Sequence, residues 1–150
     1  MSSNSDEPLR LDRQLCFQLY AASNLLTRLY GPVLAKLSLT YPQYLVMLVL
    51  WECSPKSVGE LGAKLYLDSG TLTPLLKRME LAGTVRRQRD AGDERRVLVQ
   101  LTEAGHALRE QASAELATLA QGLDLPPDDV ETLRRAVQGM VAVLASRLDL

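Results

Sequence analysis

The chain is short of the residues that carry most catalytic and metal chemistry. It has one histidine, His106, and two cysteines, Cys16 and Cys53. One histidine gives neither a His-rich metal site nor a Cys–His dyad of the hydrolase kind, and His106 reads as a surface residue. Two cysteines do not make a disulfide framework, which a chain of 150 residues does not need. No phosphate-cradling loop is present, since "DAGDE" and "LGAKL" lack the required spacing. The longest apolar run, "YLVMLVLW" (44–51), is too short to span a bilayer. The opening "MSSNSDEP" is too polar and acidic for a secretory leader. These absences predict a cytoplasmic, reducing compartment, no membrane association, no cofactor and no metal. A net charge of −1 excludes a global polycation, so any contact with nucleic acid needs a local basic patch.

What is present is mostly helical periodicity. An apolar fraction of 47% can fill one domain core. Leu15, Leu19, Leu26 and Leu29 carry a first helix over about 9–30, ended by Gly31-Pro32, and a short helix follows near 33–37. Thr40 and Gln43 form a capping-box pattern ahead of "YLVMLVLWE", and Ser57 and Glu60 repeat it. In "DSGTLTPLLKRMELAG" (68–83), propensity alone starts the helix at Thr73, with Pro74 in its first position. A start at Asp68 or Ser69 requires Pro74 in the second turn. Gly83 suits the C′ position.

The period then changes. "TVRRQRD" and "RRVLVQLT" flank the turn-forming "DAGDE" and read as a β-hairpin. Thr102 caps a long helix over about 103–121, and a last amphipathic helix covers about 128–148. The predicted fold is mostly α with a small β-hairpin wing. It is a winged helix-turn-helix over about 40–102, flanked by helices over about 9–38 and 103–148. The flanking helices have no core of their own to bury against, and a homodimer would supply one.

Between Lys77 and Arg96 seven cations face four anions, a local net of +3. From 103 to 150 four arginines face eight acids. This asymmetry fits a face for double-stranded DNA. Ser69, Thr71 and Thr73 would reach base edges and phosphates, with Lys77 and Arg78 on the backbone. The hairpin, with Arg87, Arg95 and Arg96, would reach the adjacent minor groove. A merely solvated charged hairpin is the bland alternative.

"DERRVLVQLTEAG" (93–105) resembles the wing signature of MarR-type regulators. "LCFQLYAASNLLTRLYGPVLAKLSLTYPQYL", the "WE" at 51–52 and "LYLDSGTLTPLLKRME" are similar to the organic-hydroperoxide-sensing branch of that family, the OhrR repressors. The resemblance covers roughly residues 11–106. It implies that Asp93 braces the wing and that Arg95 enters the minor groove of operator DNA. It also implies that Cys16 is the sensing thiol, with Tyr30 and Tyr41 hydrogen-bonded to its sulfur.

Alone, a cysteine on an apolar helix face is usually a small buried hydrophobe. Tyr20 lies one turn from Cys16 and can share its face. Tyr30 is fourteen residues on, about 21 Å along a continuous helix, and cannot touch its own Cys16. Residue spacing and resemblance agree only if the tyrosines come from a second subunit. Hydroxyls aimed at sulfur favour the thiolate, the form that attacks a peroxide oxygen. Phe17 and Leu19 would give the site an apolar mouth suited to alkyl hydroperoxides. The two-cysteine branch carries a resolving cysteine in its C-terminal helices, and none lies beyond Cys53 here. The resemblance is therefore to the one-cysteine type, in which an external low-molecular-weight thiol or a backbone sulfenamide completes the switch. Cys53 is expected to be structural, with a direct Cys16–Cys53 link left open. The rival readings are a MarR-type repressor released by a non-covalent lipophilic or phenolic ligand, a thiol peroxidase, and a helical interaction protein.

Overall fold

A computed structural model of the chain describes residues 7–150. Most of "MSSNSDEP", read above as no leader, lies outside the described residues. The chain divides into two compact units, one ending at Tyr41 and one running from Pro42 to Leu150. Among the described residues no single helix is long and apolar enough to cross a membrane.

The first unit opens with two 3-10 turns, Glu7–Leu9 and Leu11–Arg13, followed by helix α1, Leu15–Lys36. This corrects two expectations. The helix starts later than residue 9, and Gly31-Pro32 does not end it, so the segment near 33–37 is the last turn of α1 and not a separate helix. Pro32 costs the helix its bond to the Arg28 carbonyl, which belongs to an exposed turn and is open to water. A residue before proline normally leaves the helical region because its Cβ meets the proline ring. Gly31 has no Cβ, and that clash is absent. Leu34, Leu37 and Leu39 are buried, whereas Leu15, Tyr20, Leu25, Leu26 and Leu29 stay exposed along the rest of α1.

The second unit holds the helix–turn–helix and the wing. Helix α2, Tyr41–Glu52, begins directly after Thr40. It is apolar nearly all round and accordingly buried, with Val46, Met47 and Leu50 at 1% exposure or less. Helix α3, Val58–Leu65, has the predicted capping box: the Glu60 N–H donates to Ser57 Oγ (3.1 Å) and the Ser57 N–H to Glu60 Oε2 (2.7 Å). Helix α4, Ser69–Leu81, takes the earlier of its two possible starts. Leu61, Leu72, Leu76, Met79, Val85 and Val99 complete a dry centre shared by α3, α4 and the sheet.

That sheet has three antiparallel strands in the order β1 (Lys56–Ser57), β3 (Val97–Leu101), β2 (Val85–Arg89). The hairpin is as expected, with Arg87 opposite Val99. The short β1, with Lys56 opposite Val99 and Ser57 opposite Leu98, was not expected. Helix α5, Glu103–Gly122, is capped by Thr102, whose Oγ accepts from the Gly105 N–H (3.1 Å). Helix α6, Pro127–Arg147, has no buried residue and exposes Val130, Leu133, Val143 and Leu144, and its C-cap Leu148 is exposed as well.

Candidate nucleic-acid interface and thiol site

Asp68 sets where α4 begins. Its Oδ1 accepts from the Thr71 N–H at 2.8 Å, and the helix runs from Ser69 with Pro74 in its second turn. Leu72, Leu75, Leu76 and Met79 occupy the buried side. Ser69, Thr71, Thr73, Lys77 and Arg78 are all exposed, so the predicted hydroxyls and cations are brought together on the outward side. The helix ends at Leu81, and Gly83 takes the left-handed conformation (φ +86°) expected of a C′ glycine.

The wing cations divide by partner. At the turn, the Arg95 N–H donates to Asp93 Oδ1 at 3.1 Å, a local brace that leaves the Arg95 side chain 91% exposed. Arg95 therefore projects from the wing turn. Arg87 and Arg96 do not stand free. Arg87 gives its backbone N–H and its Nε to the two oxygens of Glu80, at 3.1 and 2.9 Å. These bonds, the backbone one first, hold the Glu80 carboxyl below its ordinary range. Arg96 lies 3.5 Å from Asp90 and 3.6 Å from Glu60. The pairings of Glu80 with Arg87, and of Glu60 and Asp90 with Arg96, were not legible in the sequence, although the capping role of Glu60 was. Each acid pairs across a change of element, where no periodic spacing marks it.

Cys16 is the second residue of α1 and is an exposed free thiol. Tyr20, one turn on, is exposed as well. Tyr30 and Tyr41 meet edge to face, with ring centroids 5.4 Å apart and an interplanar angle of 77°. Partial burial, and then the Tyr30 phenol, raise the Tyr41 pKa above its ordinary value. Because α1 is continuous from Leu15 to Lys36, Cys16 and Tyr30 are about 21 Å apart within one chain. The structure thus brings the two phenols together and keeps the thiol away from Tyr30. Cys53 lies just past α2 as an exposed free thiol and adds nothing to the core, contrary to its expected structural role. His106 is exposed, as expected.

Residues 28–111 match the family model described as transcriptional regulator SarA/Rot. The chain is 45% identical to the organic hydroperoxide resistance transcriptional regulator of Bacillus subtilis over 141 residues, covering 94% of this chain and 96% of that one. It resembles the reduced, DNA-bound form of AbfR, a Staphylococcus epidermidis protein, with 35% identity, a TM-score of 0.79, and coverage of 93% and 98% of the two chains. An Escherichia coli MarR variant complexed with operator DNA gives 30% identity and a TM-score of 0.77, covering 93% and 99%.

Proposed function

The chain belongs to the SarA/Rot-type MarR family of winged-helix transcriptional regulators, and from that premise we propose that it is a homodimeric repressor released from operator DNA by oxidation of Cys16. The observation that carries the redox half is the separation of Cys16 from Tyr30 along one helix, beside a Tyr30–Tyr41 pair that presents phenols. A sensor using all three needs two chains. α1 and α6 each expose apolar residues that such a dimer would cover. The name of the Bacillus subtilis relative supports an organic hydroperoxide as inducer, and AbfR, a solved neighbour of this chain seen on DNA both reduced and overoxidized, supports DNA binding and cysteine redox chemistry in one scaffold.

The chemistry balances as follows. The Cys16 thiolate attacks the terminal oxygen of the hydroperoxide. An S–O bond forms and the O–O bond breaks, so that sulfur is oxidised to sulfenic acid while the peroxide leaves as an alcohol. Tyr30 and Tyr41 of the second subunit would donate to the sulfur, with Tyr20 flanking it. A small thiol condensing with the sulfenic acid would release water and leave a mixed disulfide. The added atoms displace the phenols and shift the dimer.

On the DNA side, α4 would enter the major groove with Ser69, Thr71 and Thr73 foremost, Lys77 and Arg78 on the backbone, and Arg95, braced by Asp93, in the minor groove. Two such heads on a twofold axis read half-sites about 34–36 Å apart. A loss of ~3 kcal/mol on oxidation would weaken binding more than a hundredfold. A regulator of this kind works where the chromosome is, which favours the cytoplasm.

The test is a mobility shift on a duplex selected by the protein from a random pool, with and without cumene hydroperoxide. Wild type should be released and Cys16→Ser should stay bound. Equal release of the two proteins would refute the redox mechanism while leaving DNA binding intact.

A further inference from the structure

We propose that Glu80 and Glu60 are positioning residues that clamp the wing to the helix–turn–helix, so that Arg87 and Arg96 set the geometry of the reading head and do not neutralise phosphates. This rests on the DNA-binding half of the reading above and not on the redox half.

The argument begins with the sheet edge. β2 pairs only with β3, so alternate N–H groups along it point away from the sheet. The Asp90 N–H donates to the Arg96 carbonyl (2.9 Å), which places Arg86, Gln88 and Asp90 in the inward set and Val85, Arg87 and Arg89 in the outward set. An outward N–H on an edge strand ordinarily goes to water or to another strand. At Arg87 it goes to Glu80, in the last turns of α4, and the same carboxylate takes the Arg87 Nε. One acid therefore closes the strand edge and holds the guanidinium, in a pair whose side chains are 26% and 34% exposed. A guanidinium bound to a carboxylate in this way has committed both its charge and part of its planar fork.

The second clamp joins the other helix. Glu60 Oε2, already accepting from the Ser57 N–H in the capping box, also faces the Arg96 guanidinium. Asp90 faces the same guanidinium from the other side of the hairpin. The wing is thus tied to α4 through Glu80 and to the first turn of α3 through Glu60. By contrast Lys77, Arg78 and Arg86 are exposed with no carboxylate partner among the described residues, and Arg95 keeps only a 3.3 Å contact from its Nε to Asp93. Apart from Arg89, which donates to the Glu94 carbonyl within the hairpin, the basic patch is therefore two populations: cations that can reach a duplex, and cations that hold the wing at a fixed distance from the recognition helix.

Salt dependence separates them, because each phosphate neutralised steepens the slope of log K against log salt by about 0.9. Fluorescence anisotropy on the full-length protein, with the selected duplex and a scrambled one, would be run across a salt series. Arg95→Met should flatten the slope by about 0.9, whereas Arg87→Met should lower operator affinity with the slope unchanged. Glu80→Gln keeps an acceptor for the Arg87 N–H and frees the guanidinium. It should raise affinity for the scrambled duplex and lower the operator-to-scrambled ratio severalfold, although the variant is more positive. Glu60→Gln, which preserves the capping box, should lower the same ratio. If Arg87→Met melts before binding can be measured, the two glutamine variants decide. A flattening for Arg87→Met as large as for Arg95→Met would overturn the proposal. So would glutamine variants with an unchanged ratio. Failure of the wild type to bind any duplex with a salt-dependent affinity would instead reject the DNA-binding reading itself.

Discussion

Gly105→Ala tests how α5 is seated on the wing. A Cβ at Gly105 would lie 2.1 Å from the Thr84 carbonyl oxygen and 3.2 Å from Leu101 Cδ2. The first contact is with buried backbone, which cannot swing aside as a side-chain end could. That carbonyl already accepts from the Thr102 N–H at 3.1 Å, and the Thr84 hydroxyl donates to the Met79 carbonyl. The first turn of α5 must therefore lift by about 1 Å to reach an ordinary carbon–oxygen contact. Lifting it strains the Thr102 cap on the Gly105 N–H and the bond from the Trp51 indole to the Gly105 carbonyl, 2.9 Å long. Overpacking of this kind costs about 1–3 kcal/mol. A weakened cap adds about 1 kcal/mol, and the indole bond another ~1 kcal/mol. Replacing glycine by alanine in a helix returns up to about 1 kcal/mol. The net loss is about 2–4 kcal/mol, or roughly 5–15 °C in Tm for a domain of this size. Trp51 is the chain's only tryptophan, so its fluorescence reports on this junction alone, alongside the circular-dichroism melt. A variant melting within about 2 °C of wild type, with unchanged Trp51 emission, would refute the direct backbone seating of α5 on Thr84.

Two further perturbations follow from caps and charges. Asp68→Ala removes the side-chain acceptor for the Thr71 N–H, leaving its 3.2 Å bond to the Asp68 carbonyl, and should cost about 1 kcal/mol in urea unfolding. The fraying is confined to Ser69–Thr71, so operator affinity should fall more than stability does. On α6, Glu131 accepts from Arg134 and then Arg135, which hold its carboxyl at about 2 in place of 4.5. A depressed carboxyl stabilises the fold above its unfolded value, and that contribution fades as pH falls from about 4.5 through about 2. Carboxyl NMR should find the Glu131 midpoint near the lower figure, and Glu131→Gln should remove that part of the acid sensitivity. A midpoint near 4.5 would show the pair to be unformed in solution.

Most of the architecture was legible because its signals are local. Ser57-x-x-Glu60, Thr102 and the Arg-rich runs around "DAGDE" each state their structure within a few residues, and each appears where expected. Pro32 misled because a proline normally ends a helix, yet α1 runs through it, with Gly31 sparing one clash, as α4 runs through Pro74. β1 was missed because two residues cannot show an alternating pattern, and its pairing with Val99 and Leu98 is made some forty residues away. At the site, exposure of α4's hydroxyls was read from their place in the helix, and the projection of Arg95 from the resemblance of the wing motif. The commitment of Arg87 to Glu80 and of Arg96 to Glu60 was not legible, because charge counting cannot tell a paired arginine from a free one.

Helix α4 divides its residues sharply: four large apolar side chains anchor it to the centre, Glu80 ties it to β2, and the exposed hydroxyls of its first turns anchor nothing. Substitutions at Ser69, Thr71 or Thr73 thus leave the centre of the fold untouched. If these residues read the operator as proposed, a duplicated copy of this gene would drift toward a different promoter by changing those letters, keeping its thermal tolerance. Regulatory circuits are rewired cheaply in such a lineage, which gives a physical reason for one scaffold to serve many unrelated genes.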